Sequence, residues 1–292
     1  MEDNATMIVC PSKGDIRTAV NHLRGRGRTI GLVPTMGALH EGHMALVARA
    51  AELADRVVAT IFVNPTQFGP NEDLSTYPRT LERDLQMLRE AGVAAVFAPE
   101  PGEMYHTEAQ TVVETTGLSR VLMGRLRPGH FRGVATVVTK LFNIVQPDIA
   151  VFGEKDYQQL AVIRTMVRDL DIPVRIEGVP TQRAPDGLAL SSRNARLTEA
   201  QRAAAPVLSQ AMAEAAELLA EGETAEIARA RIARLIAAEP LAQLRSADIR
   251  DAASLAPVRG RPARPVVILL AVRFGDVTLI DQRVVQTRGE PT

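Results

Sequence analysis

The sequence predicts an α/β chain in two parts: a parallel sheet with helices on both faces over residues 1–181, and a smaller α+β domain over residues 182–292. Three observations lead there. Short runs rich in valine, isoleucine and alanine alternate with helical patterns through the first two-thirds of the chain; continuous apolar strands of that kind belong to a sheet buried on both faces. Polar or glycine-bearing stretches follow three of those runs, at His40, Asn64 and Gly153, and parallel sheets bind ligands beyond the carboxyl ends of their strands. After about Thr181 the pattern changes to alanine-rich helices and proline-punctuated apolar segments.

In chain order, the candidate strands are Ile30–Thr35, Arg56–Val63, Ala94–Ala98, Ile149–Phe152 and Val174–Val179. Helical patterns lie between them at Glu41–Leu53, Leu81–Ala91, Val134–Val145 and Tyr157–Leu170, which makes βαβ units. In the second part, Ala200–Leu219 and Ala225–Ala238 read as helices, and Ala247–Val258 and Val266–Ile280 as segments of apolar alternation. The segment Pro180–Leu197 joins the parts and is more polar than a linker requires. Residues from about Thr287 onward are expected to fray.

Composition narrows the function classes. Lys plus Arg and Asp plus Glu number 34 each, so no net field favours nucleic acid or an acidic membrane. The longest apolar stretch, Val266–Val272, is too short to span a bilayer. Met1–Ile8 lacks the pattern of a signal peptide. The single cysteine, Cys10, excludes an internal disulfide framework, suits a reducing cytoplasm and reads as a small apolar residue.

The most informative stretch is Met36-Gly37-Ala38-Leu39-His40-Glu41-Gly42-His43, between the run ending at Thr35 and the helical pattern reaching Leu53. A helix N-terminus presents unpaired N–H groups and partial positive charge, which suits phosphate. Residues three apart share a helix face, so His40 and His43 can address one ligand, and Gly42 puts no side chain in its way. Zinc is disfavoured, because the HExxH spacing is absent and His22, His106 and His130 add no nearby cluster. The plain alternative is a pair of capping or solvated histidines.

Five further stretches carry candidate chemistry. Asn64-Pro65 breaks a strand, and Gln67 beyond it can grip a hydroxyl or carboxylate. The loop Pro70–Thr80 is long enough for a lid or an interface segment. In Gly153-Glu154-Lys155-Asp156-Tyr157-Gln158-Gln159, Lys155 can neutralise phosphate, Asp156 can hold a ribose hydroxyl or a metal, and Gln159 lies one turn into the next helix. Ser191-Ser192-Arg193-Asn194 offers hydroxyls and a cation able to clamp phosphate; an N-cap with a solvated arginine is the competing reading. Arg125–Gly133 is a basic, glycine-flanked loop suited to an anionic substrate or to solvent.

Val33–His43, Asn64–Phe68, Gly153–Gln159 and Ser191–Asn194, taken together and in order, resemble the pantoate–β-alanine ligases, a family of the HxGH nucleotidyltransferases. His-x-Gly-His alone marks only the superfamily; GEKDYQQL and DGLALSSRN are far more specific. The resemblance implies a Rossmann-like N-terminal domain, a smaller C-terminal domain closing over the ATP site, and a homodimer. It also implies a two-step reaction, in which ATP and pantoate give pantoyl adenylate and pyrophosphate, and β-alanine then displaces AMP. By the same resemblance, Met36, Gly37, Ala38, Leu39, His40, Glu41, Gly42 and His43 bind ATP, as do Gly153, Glu154, Lys155 and Asp156, the Gln182 main chain, and Leu190, Ser191, Ser192 and Arg193. His43, His40, Lys155 and Arg193 are the implied catalytic residues; Gln67 and Gln159 take pantoate, and Gln67 also touches β-alanine.

One departure concerns Mg²⁺. In the helix after Tyr77-Pro78-Arg79-Thr80, Asp84 matches the acidic pattern of some relatives, whereas Arg83 and Met87 do not, so Asp84 is the one expected metal ligand. Two rivals share the histidine pair: another HxGH nucleotidyltransferase that keeps the nucleotide in its product, and a non-catalytic nucleotide-binding module.

Overall fold

The computed structural model describes residues 6–70 and 72–287. It contains two compact units, Met1–Glu154 with Gln158–Pro180, and Lys155–Tyr157 with Thr181–Thr292. The expected fraying beyond Thr287 concerns residues outside the described ones, as does part of the Met1–Ile8 reading.

The first unit is built on six strands: β1 (Ile8–Cys10), β2 (Ile30–Thr35), β3 (Arg56–Ile61), β4 (Ala95–Phe97), β5 (Ile149–Gly153) and β6 (Arg175–Val179). Their order is β1-β4-β3-β2-β5-β6, with every pairing parallel. The main helices are α1 (Lys13–Leu23), α2 (Glu41–Leu53), α3 (Leu81–Glu90), the single turns α4 (Pro101–Met104) and α5 (Met123–Leu126), α6 (His130–Val145) and α7 (Tyr157–Asp169).

Alternation along the strands sorts side chains to two faces. Ile30, Leu32, Val58, Phe97, Ala150 and Phe152 share one core with residues of α1, α6 and α7. Val33, Val57, Ala59, Val96 and Val151 share the other with Leu46, Val47 and Ala50 of α2 and Leu85 and Leu88 of α3. Both faces are therefore dry, as the unbroken apolar strands require.

The strand order places the site. From β2 the chain moves outward through β3 and β4, then returns to lay β5 and β6 on the opposite side of β2. The switch point thus lies between β2 and β5, the usual position of a ligand crevice in such sheets. The β2–β5 pairing covers Gly31 and Leu32 only, whereas β2–β3 continues to Thr35 and β5–β6 to Gly153. Pro34, which has no N–H to give, falls beyond the ladder with β5.

The second unit packs α8 (Glu199–Ala204), α9 (Val207–Ala220) and α10 (Ala225–Ala237) with an antiparallel sheet β7 (Gln243–Asp251), β8 (Val266–Phe274) and β9 (Val277–Val285), in the order β7-β8-β9. Leu208, Met212 and Leu219 of α9 and Ile232 and Ile236 of α10 meet Ile268, Leu270, Val272 and Phe274 of β8 in one core.

The structure amends several expected elements. The helix expected over Ala200–Leu219 is two helices, broken at Pro206, whose ring cannot continue the ladder. Val266–Ile280 is a hairpin rather than one segment, turned at Gly275 with φ 56°. The strand in Ala247–Val258 begins earlier, at Gln243, and ends at Asp251. The helix expected from Val134 starts at His130, with Gly129 at φ 85° as its N-cap, so the basic loop is shorter than expected. Cys10 is a buried free thiol in β1, its pKa raised by burial and then by Asp15.

Candidate active site

The segment after β2 is held by its own backbone chemistry. The Thr35 hydroxyl donates to the Thr60 carbonyl at 2.6 Å and accepts from the Gly37 N–H at 3.2 Å. Gly37 and Ala38 then take successive left-handed conformations, φ 80° and φ 51°. This turns the N–H groups of Ala38 and Leu39 onto the carboxylate of Asp84, each at 2.9 Å. Asp84 also accepts the Thr80 hydroxyl at 3.0 Å and is only 1 % exposed. Three of the roughly four lone-pair positions of this carboxylate are thus used on the loop and on Thr80.

His40 and His43 form a reciprocal cap on α2. His40 Nδ1 accepts from the Gly42 N–H at 3.1 Å, and His43 Nδ1 accepts from the His40 N–H at 3.3 Å. The ring centroids are 4.2 Å apart. A nitrogen that accepts carries no proton, so each neutral ring has its N–H at Nε2. The capping reading and the ligand reading are therefore compatible: one nitrogen of each ring fixes the helix, and the other is a donor of fixed direction.

Gln67 stands on a 3₁₀ turn, Pro65–Gln67, capped by Asn64. Asn64 is buried, and its Oδ1 accepts from the Thr66 hydroxyl at 2.9 Å and the Tyr105 hydroxyl at 2.8 Å. Its Nδ2 donates to Gln67 Oε1 at 3.0 Å and to the Gly133 carbonyl at 3.2 Å. Burial raises the Tyr105 pKa against a smaller opposing effect of Thr66, which keeps the phenol a donor. Gln67 Nε2 points at the Met36 sulfur at 3.0 Å. A thioether is a weak acceptor, so a substrate oxygen can displace it at little cost.

The Gln67 main chain is clamped as firmly. Its carbonyl accepts from His130 Nδ1 at 2.8 Å and from Arg127 at 3.4 Å, and Arg127 Nη1 lies 3.2 Å from His130 Nε2. Arg127 also pairs with Glu72 in the loop after the turn. Burial pushes the Glu72 carboxyl up, but the hydrogen bonds and charge of Arg127 outweigh it and hold the pKa below the ordinary value. Asn71, within the loop Pro70–Thr80 read as a lid or an interface segment, lies outside the described residues.

Sequence reasoning found Gln67 and Met36 but missed Asn64, Tyr105, Arg127 and His130 as their supports. The basic character of Arg125–Gly133 signalled Arg127 and His130, Asn64 was legible only as the residue that ends a strand, and nothing signalled Tyr105. Of the adjacent glutamines, Gln158 is buried and spans Met123 N, Leu118 O and Val121 O, whereas Gln159 is half-buried. Gly153 is the last residue of β5 and Glu154 follows it at the same sheet edge as Met36.

In the second unit, Lys155 Nζ lies 3.7 Å from Asp156. Arg183 grips Asp281 through both carboxylate oxygens, at 2.7 and 2.9 Å. That pair anchors a small antiparallel bracket in which Arg183 bridges Ala189 and Leu190 N–H donates to the Gln182 carbonyl at 2.9 Å. The bracket delivers Ser191, which caps the 3₁₀ turn Ser192–Arg196 by accepting from the Arg193 N–H at 3.3 Å. Asn194 ties the turn back to the Ala189 carbonyl at 3.0 Å. Ser191 is thus a cap, as the competing reading had it, and Ser192 and Arg193 stand half-buried beside it.

A doubly wound parallel sheet with a histidine-capped helix at its switch point defines an α/β protein that carries the His-x-Gly-His pattern at the start of that helix. The family model described as pantoate-beta-alanine ligase matches residues 9–284, and the chain belongs to that family. A relative from Rhizobium johnstonii named pantothenate synthetase is 54 % identical over 280 residues, which is 96 % of this chain and 92 % of that one. The crystal structure of pantothenate synthetase from Thermus thermophilus matches with a TM-score of 0.90 at 45 % identity, covering 95 % of this chain and 99 % of that one. A pantoate-beta-alanine ligase from Francisella tularensis, complexed with beta-gamma ATP and beta-alanine, matches with a TM-score of 0.74 at 35 % identity, over 95 % and 97 % of the two chains.

Proposed function

We propose that the protein condenses pantoate with β-alanine at the expense of ATP, through pantoyl adenylate, releasing pyrophosphate and AMP. The observation that carries this reading is the contact between Gln67 Nε2 and the Met36 sulfur. It joins a hydroxy-acid gripping residue directly to the phosphate-binding loop, so the carboxylate to be activated and the nucleotide can be neighbours.

In the first step a pantoate carboxylate oxygen attacks the α-phosphorus, and the bond to the pyrophosphate oxygen breaks. The carboxylate is already an anion, so in-line placement rather than a general base is required. Gln67 and Gln159 orient pantoate through neutral amides, leaving its charge intact. Charge growing on the phosphate oxygens meets the Nε2–H groups of His40 and His43 and the N-terminus of α2, donors whose directions the cap has already fixed. Lys155 and Arg193 supply fixed positive charge in this reading. In the second step the β-alanine nitrogen, having lost a proton, attacks the acyl carbon; the acyl–phosphate oxygen bond breaks, AMP leaves, and the nitrogen gives up a second proton to solvent as the amide forms.

The assignments of Met36–His43, Gly153, Glu154, Asp156, Gln182 and Leu190–Ser192 to ATP, and of Gln67 to β-alanine, are supported by the family resemblance. Mg²⁺ enters as the ion that accompanies ATP phosphates through waters. Among the described residues no group of three His, Cys, Asp or Glu side chains is placed to hold a metal, and Asp84 already accepts from three donors; an ion that arrives with the ATP phosphates and their waters needs few protein ligands. The reading includes a homodimer in the cytoplasm, consistent with one unpaired cysteine; among the described residues no helix is long and apolar enough to cross a membrane.

The test is product analysis with each substrate omitted in turn. AMP and pantothenate should appear only when ATP, pantoate and β-alanine are all present. A product that retains the nucleotide would overturn the reading.

A further inference from the structure

Asp84 is a buried carboxylate on the first turn of α3 whose hydrogen-bond partners among the described residues include no cation. Its oxygens accept three hydrogen bonds, all from neutral donors: Ala38 N–H and Leu39 N–H at 2.9 Å and the Thr80 hydroxyl at 3.0 Å. Two successive N–H groups turned inward by left-handed residues form a small anion-binding concavity, and the carboxylate fills it. Glycine takes such a conformation without strain, but the β-carbon of Ala38 disfavours its φ of 51°. Something outside the loop must hold Ala38 there. Asp84 is placed to do so, 45 residues further along the chain from Leu39. The next residue is His40, whose extended backbone and side chain begin the cap on α2.

We propose that Asp84 is a positioning residue: it locks Gly37–Leu39 in the left-handed turn and thereby sets the direction of the His40 and His43 donors. This rests on the reading of those histidines as phosphate ligands given above. The arrangement also explains why Asp, and neither Asn nor Glu, stands at this position. Asparagine has only one acceptor for two N–H groups and would turn an NH₂ against the second; glutamate would push its carboxylate into the loop. The room is tight, since a β-carbon on Gly37 would already lie 3.0 Å from Asp84 Oδ2.

The experiment compares the wild type with Asp84→Asn, Ala38→Gly, their double variant, and Ala38→Val, by pantoate-dependent ATP–pyrophosphate exchange and by hydrogen exchange of the peptide 36–44. Asp84→Asn should lower kcat by about 10²-fold, the cost of displaced catalytic groups, with KM for pantoate nearly unchanged, and should speed amide exchange in 36–44. Ala38→Gly should restore much of that loss, because glycine needs no carboxylate to stay left-handed. Ala38→Val should reproduce the kcat defect with Asp84 intact, which keeps the test valid if Asp84→Asn folds poorly. A defect reversed by raising Mg²⁺ and untouched by Ala38→Gly would overturn the proposal in favour of a metal ligand. So would unchanged amide protection in Asp84→Asn. If the wild type itself shows no pantoate-dependent exchange, the functional reading fails instead, and the amide-exchange comparison still decides the role of Asp84.

Discussion

Gly133, in the first turn of α6, lies against the main chain of Thr66 so closely that a β-carbon on it would stand 2.4 Å from the Thr66 carbonyl oxygen and 2.7 Å from Gln67 Cα. Both neighbours are backbone, so neither can swing aside. The close approach also lets the Gly133 carbonyl accept from Asn64. Gly133→Ala should therefore displace the turn that carries Gln67, with a stability loss of about 1–3 kcal/mol, the usual range for overpacking. Thermal unfolding and KM for pantoate check it together; a variant with wild-type values of both would show that the turn does not depend on α6.

Asn64 is the hub of the same region, and its two ends are not interchangeable. Oδ1 faces the hydroxyls of Thr66 and Tyr105, and Nδ2 faces the oxygens of Gln67 and Gly133. Asn64→Asp keeps the shape but turns a negative oxygen on two acceptors. The expected result is a stability loss of at least about 1–3 kcal/mol, the cost of unsatisfied buried polar groups, measured by urea unfolding. A neutral outcome would mean that the network rearranges freely.

The Glu72–Arg127 pair makes a pH prediction. The Glu72 pKa is lowered in the folded state, so its contribution is present above the unfolded carboxylate pKa and is lost as pH falls through the lower folded value. Wild type should exceed Glu72→Gln in stability by about 1 kcal/mol at neutral pH, given partial solvent screening. That difference should close as the solution is acidified below the ordinary carboxylate range. A difference that grows on acidification has the wrong sign for this pair.

His43 should separate catalysis from folding. Its Nδ1 caps the His40 N–H, so His43→Ala should cost stability on the scale of a lost cap, about 1 kcal/mol, while kcat falls by about 10²-fold or more, as for one preorganised donor. His43→Gln, whose amide nitrogen reaches the Nε2 position, should retain more activity than His43→Asn. Equal rates for the two would remove Nε2–H from the mechanism.

How far the sequence can be read depends on the range of the interactions. β2 and α2 are legible to the residue, because an unbroken apolar run and a histidine-glycine cap are local signals. β1 and α1 are not: β1 is three residues long with Ile8 and Val9 partly exposed, and only pairing with β4 makes it a strand. The two-residue turn at Gly275-Asp276 is a local signal of a hairpin, hidden within an apolar stretch. In the candidate site, the glutamine and the histidines are legible by residue type. The supports of Gln67 are not, since His130 and Gly133 meet Gln67 and Asn64 across more than 60 positions of sequence. Asp84 is visible as an acid near the site, yet its partners are the backbone of Ala38 and Leu39, which no side-chain pattern announces.

The central claim is that an acyl adenylate forms where the histidine-capped loop meets Gln67. Exchange of labelled pyrophosphate into ATP, in the presence of pantoate and the absence of β-alanine, tests it most directly. The account predicts exchange that requires pantoate, saturates with it, and drops about 10²-fold or more in His43→Ala. Exchange that proceeds equally without pantoate, or none at all while pantothenate still forms, would contradict it.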